Sequence, residues 1–256
     1  MPSPHSVTPR IPGVAARSTF LDRAAPGRLD SAQRGRHGDG RTSTDALRDG
    51  KTAVTVLIVP GLHGSEDAHW QSCLERTMPS ARRVIQRDWA RPSLKEWSER
   101  VRAEIAIAAA ESDAPIVLVG HSFGCLTIAA ALLESGAACG DQGLDRVAAA
   151  LLVAPANPAR FDIDPSRLRA ALPVTSVTVG SENDPWMPFD AVRQFAQAWG
   201  SSLINLGNAG HINVASGFGP WPLGLELTDM LCWQARRDAS TATQRPTRDA
   251  SLTHAA

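Results

Sequence analysis

Apolar positions in this chain fall into short continuous runs, separated by longer segments of helical spacing. Residues 53–60 are rich in Val and Ile and read as a buried strand. Residues 69–78 read as a helix and residues 83–86 as a short strand. Over residues 93–110, Leu94, Trp97, Val101, Ile105 and Ala108 recur at helical spacing, as in an amphipathic helix. Ser93 with Glu96 is a capping-box pattern, and Pro92 precedes it. Residues 114–119 form another apolar run, and residues 125–134 read as a buried helix. Further strands are expected at residues 147–153, 174–179 and 202–206, with helices at residues 189–199 and 223–235. Alternating strands and helices predict an α/β domain: a mostly parallel sheet covered on both faces. Little chain is left for a cap domain. Residues 156–172 are the one stretch available for a short lid.

Composition narrows the picture. The chain has 256 residues and a formal net charge of +0. That length suits one α/β domain with a sizeable core, and the balanced charge gives no footprint for nucleic acid. No apolar run reaches the length of a membrane span, so no membrane partner is expected. Cys73, Cys125, Cys139 and Cys232 show no C-x-x-C spacing and read as reduced thiols of a cytoplasmic protein. Cys125 falls on the helix after the third apolar run and reads as core.

The first fifty residues differ from the rest. They carry many Arg, Pro, Ser and Gly, with no Lys and no Glu. Residues 1–51 are therefore expected to be a disordered leader, because such a segment buries too little surface to offset its chain entropy. Asp22, Asp30, Asp39, Asp45 and Asp49 argue against an organellar transit peptide. The same pattern places the folded domain at residues 52–235 and a flexible tail at residues 236–256.

The strongest chemical signal is Gly120-His121-Ser122-Phe123-Gly124. A bare G-x-S-x-G recurs by chance in roughly one chain in ten of this length. Its place between an apolar strand and an apolar helix makes it far more specific. A serine on such a turn is a nucleophile elbow: the hydroxyl stands exposed above the sheet edge, and the helix start offers free N–H groups. Gly120 and Gly124 are expected where side chains would collide with neighbouring backbone.

A serine hydroxyl becomes a useful nucleophile only when a base takes its proton and a carboxylate orients that base. In this arrangement the chain order is Ser, acid, His. Downstream of Ser122 stand two histidines, His211 and His254, and His254 lies in the polar tail. His211 follows the last expected strand within Gly207-Asn208-Ala209-Gly210-His211-Ile212-Asn213. The preceding strand leads to Glu182 and Asp184. Asp184 is favoured, because its short carboxylate sits in a rigid Asn-Asp-Pro turn. Backbone N–H groups of Leu62 and Phe123 are candidates for an oxyanion hole. His63 and Trp186 are candidates for the pocket wall. His121, adjacent to Ser122, cannot fold back as its base and reads as packing beside the sheet. His63 and His69 lack the spacing of a metal site, and no metal or cofactor is expected.

Taken together, these motifs resemble the small serine hydrolases of the retinoblastoma-binding-protein-9 and YdeN type, within the α/β-hydrolase superfamily. The resemblance covers residues 52–233. It rests on Val59-Pro60-Gly61 with Gly64-Ser65, His69-Trp70-Gln71, and Gln86-Arg87-Asp88-Trp89 with Pro92 and Trp97. The Ser122 pentapeptide, Asn183-Asp184-Pro185 and Gly210-His211-Ile212-Asn213 complete it. It implies a compact, capless α/β hydrolase of about six strands, with Ser122, Asp184 and His211 as triad. The implied activity is cofactor-independent, carboxylesterase-like hydrolysis of small esters or amides. None of the four cysteines sits in an L-x-C-x-E motif, so pocket-protein binding is not carried over. Two alternatives stand beside this reading: a catalytically weak binding protein on the same fold, and acyl transfer to an alcohol instead of water.

Overall fold

The computed structural model describes residues 53–134 and 142–243. The expected leader at residues 1–51, Cys139 and His254 lie outside these residues. Strand β1 (Thr55–Val59) leads through a loop to helix α1 (Trp70–Thr77), and β2 (Ala81–Arg83) leads to α2 (Leu94–Glu111). Next come β3 (Ile116–His121) with α3 (Phe123–Leu133), then β4 (Val147–Val153). Two 3₁₀ turns, Pro158–Phe161 and Pro165–Leu168, stand where the short lid was expected. The chain ends its described part with β5 (Thr175–Gly180), α4 (Phe189–Trp199), β6 (Ser202–Asn205) and α5 (Pro222–Thr243).

Among the described residues the sheet has six strands in the order β2-β1-β3-β4-β5-β6. Every neighbouring pair is parallel. The central strands are apolar on both sides, and their side chains alternate between two cores. Leu57 and Val59 of β1, Ile116 and Leu118 of β3, and Leu152 of β4 join α2, α3 and α4 on one face. Val56, Ile58, Val117, Val119 and Leu151 join α1 and α5 on the other. These side chains are fully excluded from water, and each such burial contributes roughly 1.5–3 kcal/mol. Helices therefore cover both faces, and among the described residues there is no cap domain.

Two elements depart from the sequence pattern. The second strand was expected at residues 83–86, yet β2 pairs Ala81–Arg83 with Val56–Ile58. Its register is set by β1, not by its own apolar content, and Ile85 is exposed. The last helix was expected to end at residue 235, with a flexible tail from Arg236. Instead α5 continues through Thr243. Ala235 is anchored in the second core, and Arg236, Arg237 and Ala239 are good helix formers that extend it.

Candidate functional site

The site lies at the carboxyl ends of the strands, where a parallel α/β sheet offers its loops. β3 runs into α3 with Ser122 at the junction, held at φ 54° and ψ −121°. Three backbone bonds keep it there. The Ser122 N–H donates to Val153 O at 3.0 Å, and the Ser122 carbonyl accepts from Cys125 N and Ala156 N. Close packing against β1 is the second constraint. A Cβ on Gly124 would lie 2.1 Å from Val59 O, and one on Gly61 would lie 2.7 Å from Ser122 Cβ. The loop after β1 thus backs directly onto the serine.

His63, Ala154 and Ile212 also have positive φ, at 65°, 46° and 50°. All three sit in loops around Ser122. Non-glycine residues held this way each store on the order of 1 kcal/mol or more.

His211 connects two partners. Its Nε2 is 2.9 Å from Ser122 Oγ, and its Nδ1 is 2.8 Å from Asp184 Oδ2. Asp184 Oδ1 accepts the Trp186 N–H at 2.9 Å. The Asp184 side chain is 1% exposed and that of His211 is 9% exposed. One carboxylate oxygen is thus spent on its own turn, and the other faces the imidazole. Glu182, the other acidic candidate, turns away and accepts from Asn205 Nδ2.

The acid and histidine loops are tied together before their side chains meet. Ser181 Oγ donates to Asn183 Oδ1 and accepts from Ala209 N. Asn183 Oδ1 also accepts the Gly210 N–H at 2.7 Å. His211 N–H in turn donates to Ser216 Oγ. Sequence reasoning missed Ser181 and Asn183, although the polar run Ser181–Asn183 ahead of a proline was the available signal.

Two further imidazoles pack behind His211. His121 Nε2 donates to His211 O at 2.9 Å, and their ring centroids are 5.0 Å apart. His69 packs against His121 at 4.8 Å. Its Nδ1 accepts the Gln71 N–H, so His69 caps α1. Burial lowers the His69 pKa to about 4, helped by the Arg83 charge and by His211. Burial also holds His121 well below the ordinary histidine range. Both rings are neutral near pH 7, so neither opposes a positive charge on His211. Gln71 stitches the strands below, donating to Val119 O at 3.0 Å and accepting from Ser65 Oγ. Trp70 Nε1 donates to Ile212 O at 3.0 Å. The His69-Trp70-Gln71 motif therefore braces the floor of the site.

A cavity of about 380 Å³ opens over Ser122. Leu62, His63 and His69 line one side, and Ala156, Asn157, Arg160, Phe161 and Trp186 line the other. His63 is an exposed rim residue; Trp186 is 46% exposed, with its ring 6.5 Å from that of His211. Neither the Leu62 nor the Phe123 N–H donates to a protein acceptor among the described residues. The Phe123 ring belongs to the core, edge-on to Trp97 and tilted against Phe161. Cys125 is buried with its Sγ against Val153 O, and burial pushes its thiol pKa far up. Trp70 and Trp97 are core residues, and Trp89 is half-buried against Trp97.

The profile of the serine hydrolase family matches residues 56–230, from the first strand into the last helix. The chain belongs to that family. Among solved structures it is similar to a YdeN-like hydrolase from Pectobacterium atrosepticum, at 39% identity and a TM-score of 0.62. That match covers 71% of this chain and 92% of the other. It is also similar to the ydeN gene product of B. subtilis, at 18% identity and a TM-score of 0.56, over 70% of this chain and 98% of that one. Esterase 2 of Thermogutta terrifontis shares the fold at 17% identity and a TM-score of 0.56, over 72% and 84% of the two chains. No protein of curated function matches the chain in sequence. These likenesses make it a YdeN-type serine hydrolase with an α/β-hydrolase fold. Among the described residues, no helix is long and apolar enough to cross a membrane.

Proposed function

We propose that this hydrolase cleaves small carboxylic esters or amides through an acyl-enzyme on Ser122. The observation that carries the proposal is the bridging of Ser122 Oγ and Asp184 Oδ2 by one imidazole, at 2.9 and 2.8 Å. Nδ1–H donates to the carboxylate, which leaves the Nε2 lone pair facing the serine hydroxyl.

Ser122 Oγ attacks the acyl carbonyl while its proton passes to His211 Nε2. Asp184 stabilises the imidazolium that forms and stays ionised. The Leu62 and Phe123 N–H groups hold the oxyanion of the tetrahedral intermediate. Collapse breaks the bond to the leaving alcohol or amine, which takes the proton back from His211. Water then repeats the sequence on the acyl-enzyme, releasing the acid and restoring Ser122. Every proton is handled by this chain's own residues, so the cycle needs no cofactor. The cavity lies in the range of small-molecule sites. His63 and Trp186 are assigned to its rim, and the catalytic domain to residues 52–235 with the rest of α5.

A nitrophenyl-ester series of increasing acyl length, run on wild type and Ser122→Ala, tests the reading. Hydrolysis should fall by ~10⁴–10⁶ in the variant, and fluorophosphonate labelling should vanish. Full labelling of Ser122→Ala would overturn it.

A further inference from the structure

We propose that Arg160 makes this site selective for esters that carry a carboxylate in addition to the scissile ester group. The inference rests on the hydrolytic reading above and names its substrate class. Arg160 stands on the cavity wall built by the turn Pro158–Phe161. Its guanidinium lies over the Trp186 ring, 4.7 Å from the centroid. No acceptor in the protein takes any of its guanidinium N–H groups among the described residues, whereas Arg83, Arg100 and Arg146 each have a carboxylate partner. An arginine fixed by an aromatic face but left without an acid is poised to grip an anion from outside.

Its mounting is ordered from both sides. The turn that carries Arg160 begins at Asn157, whose side chain accepts the Ala159 N–H. Just before it, Ala156 N–H bonds to the carbonyl of Ser122. The Trp186 backbone is held in turn, because its main-chain N–H bonds to Asp184 Oδ1. The cation is therefore mounted on the same segments that position the nucleophile and the acid.

The other charged groups around the cavity sharpen the assignment. Glu66 is the acidic residue in the lining wall, and it follows β1. Arg160 follows β4, and β3 with Ser122 lies between these strands. The walls flanking Ser122 thus carry opposite charge, and an anion is directed to the Arg160 side. His69 and His121 are neutral near pH 7 and do not compete for it. The remote carboxylate is a spectator in the chemistry. It orients the ester and takes no part in bond making or breaking.

Two pairs of probes place the carboxylate in either half of the ester. Mono-4-nitrophenyl glutarate is compared with 4-nitrophenyl butyrate, and 4-acetoxybenzoate with its methyl ester. One charge-assisted, bidentate contact at a partly exposed site corresponds to about a tenfold preference in kcat/KM. At least one pair should favour the anionic member by about that factor in wild type. In Arg160→Gln the ratio should fall towards one, and Arg160→Lys should keep part of it. Raising ionic strength should shrink the wild-type ratio, because the contact is open to solvent. A ratio near one for both pairs in wild type, or a ratio that survives Arg160→Gln, overturns the proposal. If neutral esters are cleaved and Ser122 is labelled while the ratio stays near one, the charge assignment alone fails. If no ester is turned over and Ser122→Ala is still labelled, the hydrolytic reading fails and takes this proposal with it.

Discussion

His69 should make the fold sensitive to mild acid, and the size of that effect follows from its burial. The ring is 2% exposed, packed between Trp70 and His121, with the Arg83 guanidinium nearby. Its pKa is lowered from 6.5 to about 4, first by desolvation, then by Arg83 and His211. Unfolding releases the ring to water, where it binds a proton below 6.5. Between about pH 6.5 and 4 the unfolded chain therefore holds more protons than the folded one, and stability falls as pH falls. The slope approaches ~1.4 kcal/mol per pH unit and saturates near ~3 kcal/mol below the folded pKa. His69→Asn removes the titration and keeps a side-chain oxygen to cap α1. Urea unfolding of wild type and variant at several pH values from 4 to 7.5 measures the difference. The gap between the two curves should shift in the variant's favour by about 3 kcal/mol across that range. Parallel curves would refute the reasoning, since they would mean the buried ring is not the group that resists protonation.

Other perturbations probe the same architecture. Gly61→Ala puts a methyl group 2.7 Å from Ser122 Cβ; a roughly 100-fold loss of kcat with a melting temperature lowered by a few degrees is expected from steady-state kinetics and calorimetry. Asn183→Ala removes the acceptor shared by Ser181 Oγ and Gly210 N–H. It should lower stability by ~1 kcal/mol and reduce kcat more than it raises KM, with an unchanged KM and kcat counting against the tie between the loops. Asp184→Asn should cost about 10⁴ in kcat by stranding the imidazole in the wrong tautomer, which a single-turnover assay reads directly. Cys125 should stay unmodified by iodoacetamide in the folded protein, because burial holds it as a thiol; peptide mapping of the alkylated chain checks this.

Much of the architecture is written in local pattern. The strand Val147–Val153 and the helix Phe189–Trp199 fall where the apolar spacing put them, because their own side chains decide their burial. β2 does not, because an edge strand of Ala81, Arg82 and Arg83 takes its register from β1. α5 outruns its apolar stripe because helix propensity carries it on once Ala235 is anchored. The meeting of Ser122, Asp184 and His211 was legible from chain order, since parallel strands deliver successive loops to one edge. The packing of the three imidazoles was not. That His121 reaches the backbone of His211 depends on a contact between elements far apart in sequence, and the His69 cap on α1, though local, uses a residue outside the usual capping set. The crowding expected at Gly120 and Gly124 comes from different partners: a Cβ on Gly124 would meet Val59 O and Pro60 O at the end of β1, and one on Gly120 would first meet the Ile128 side chain.

The position of β6 has a consequence for how activity is lost on heating. This strand pairs only with β5 among the described residues, at the sheet margin, and none of its four residues is fully buried. It delivers the loop that carries His211. Margins of this kind open at lower free energy than the centre of a sheet. Because Ser181 and Asn183 bind this loop to the Asp184 turn, the two should detach as one cooperative unit while β1, β3 and β4 stay folded. Warming would then switch hydrolysis off below the melting temperature and restore it on cooling, with amide exchange at residues 202–213 rising in step.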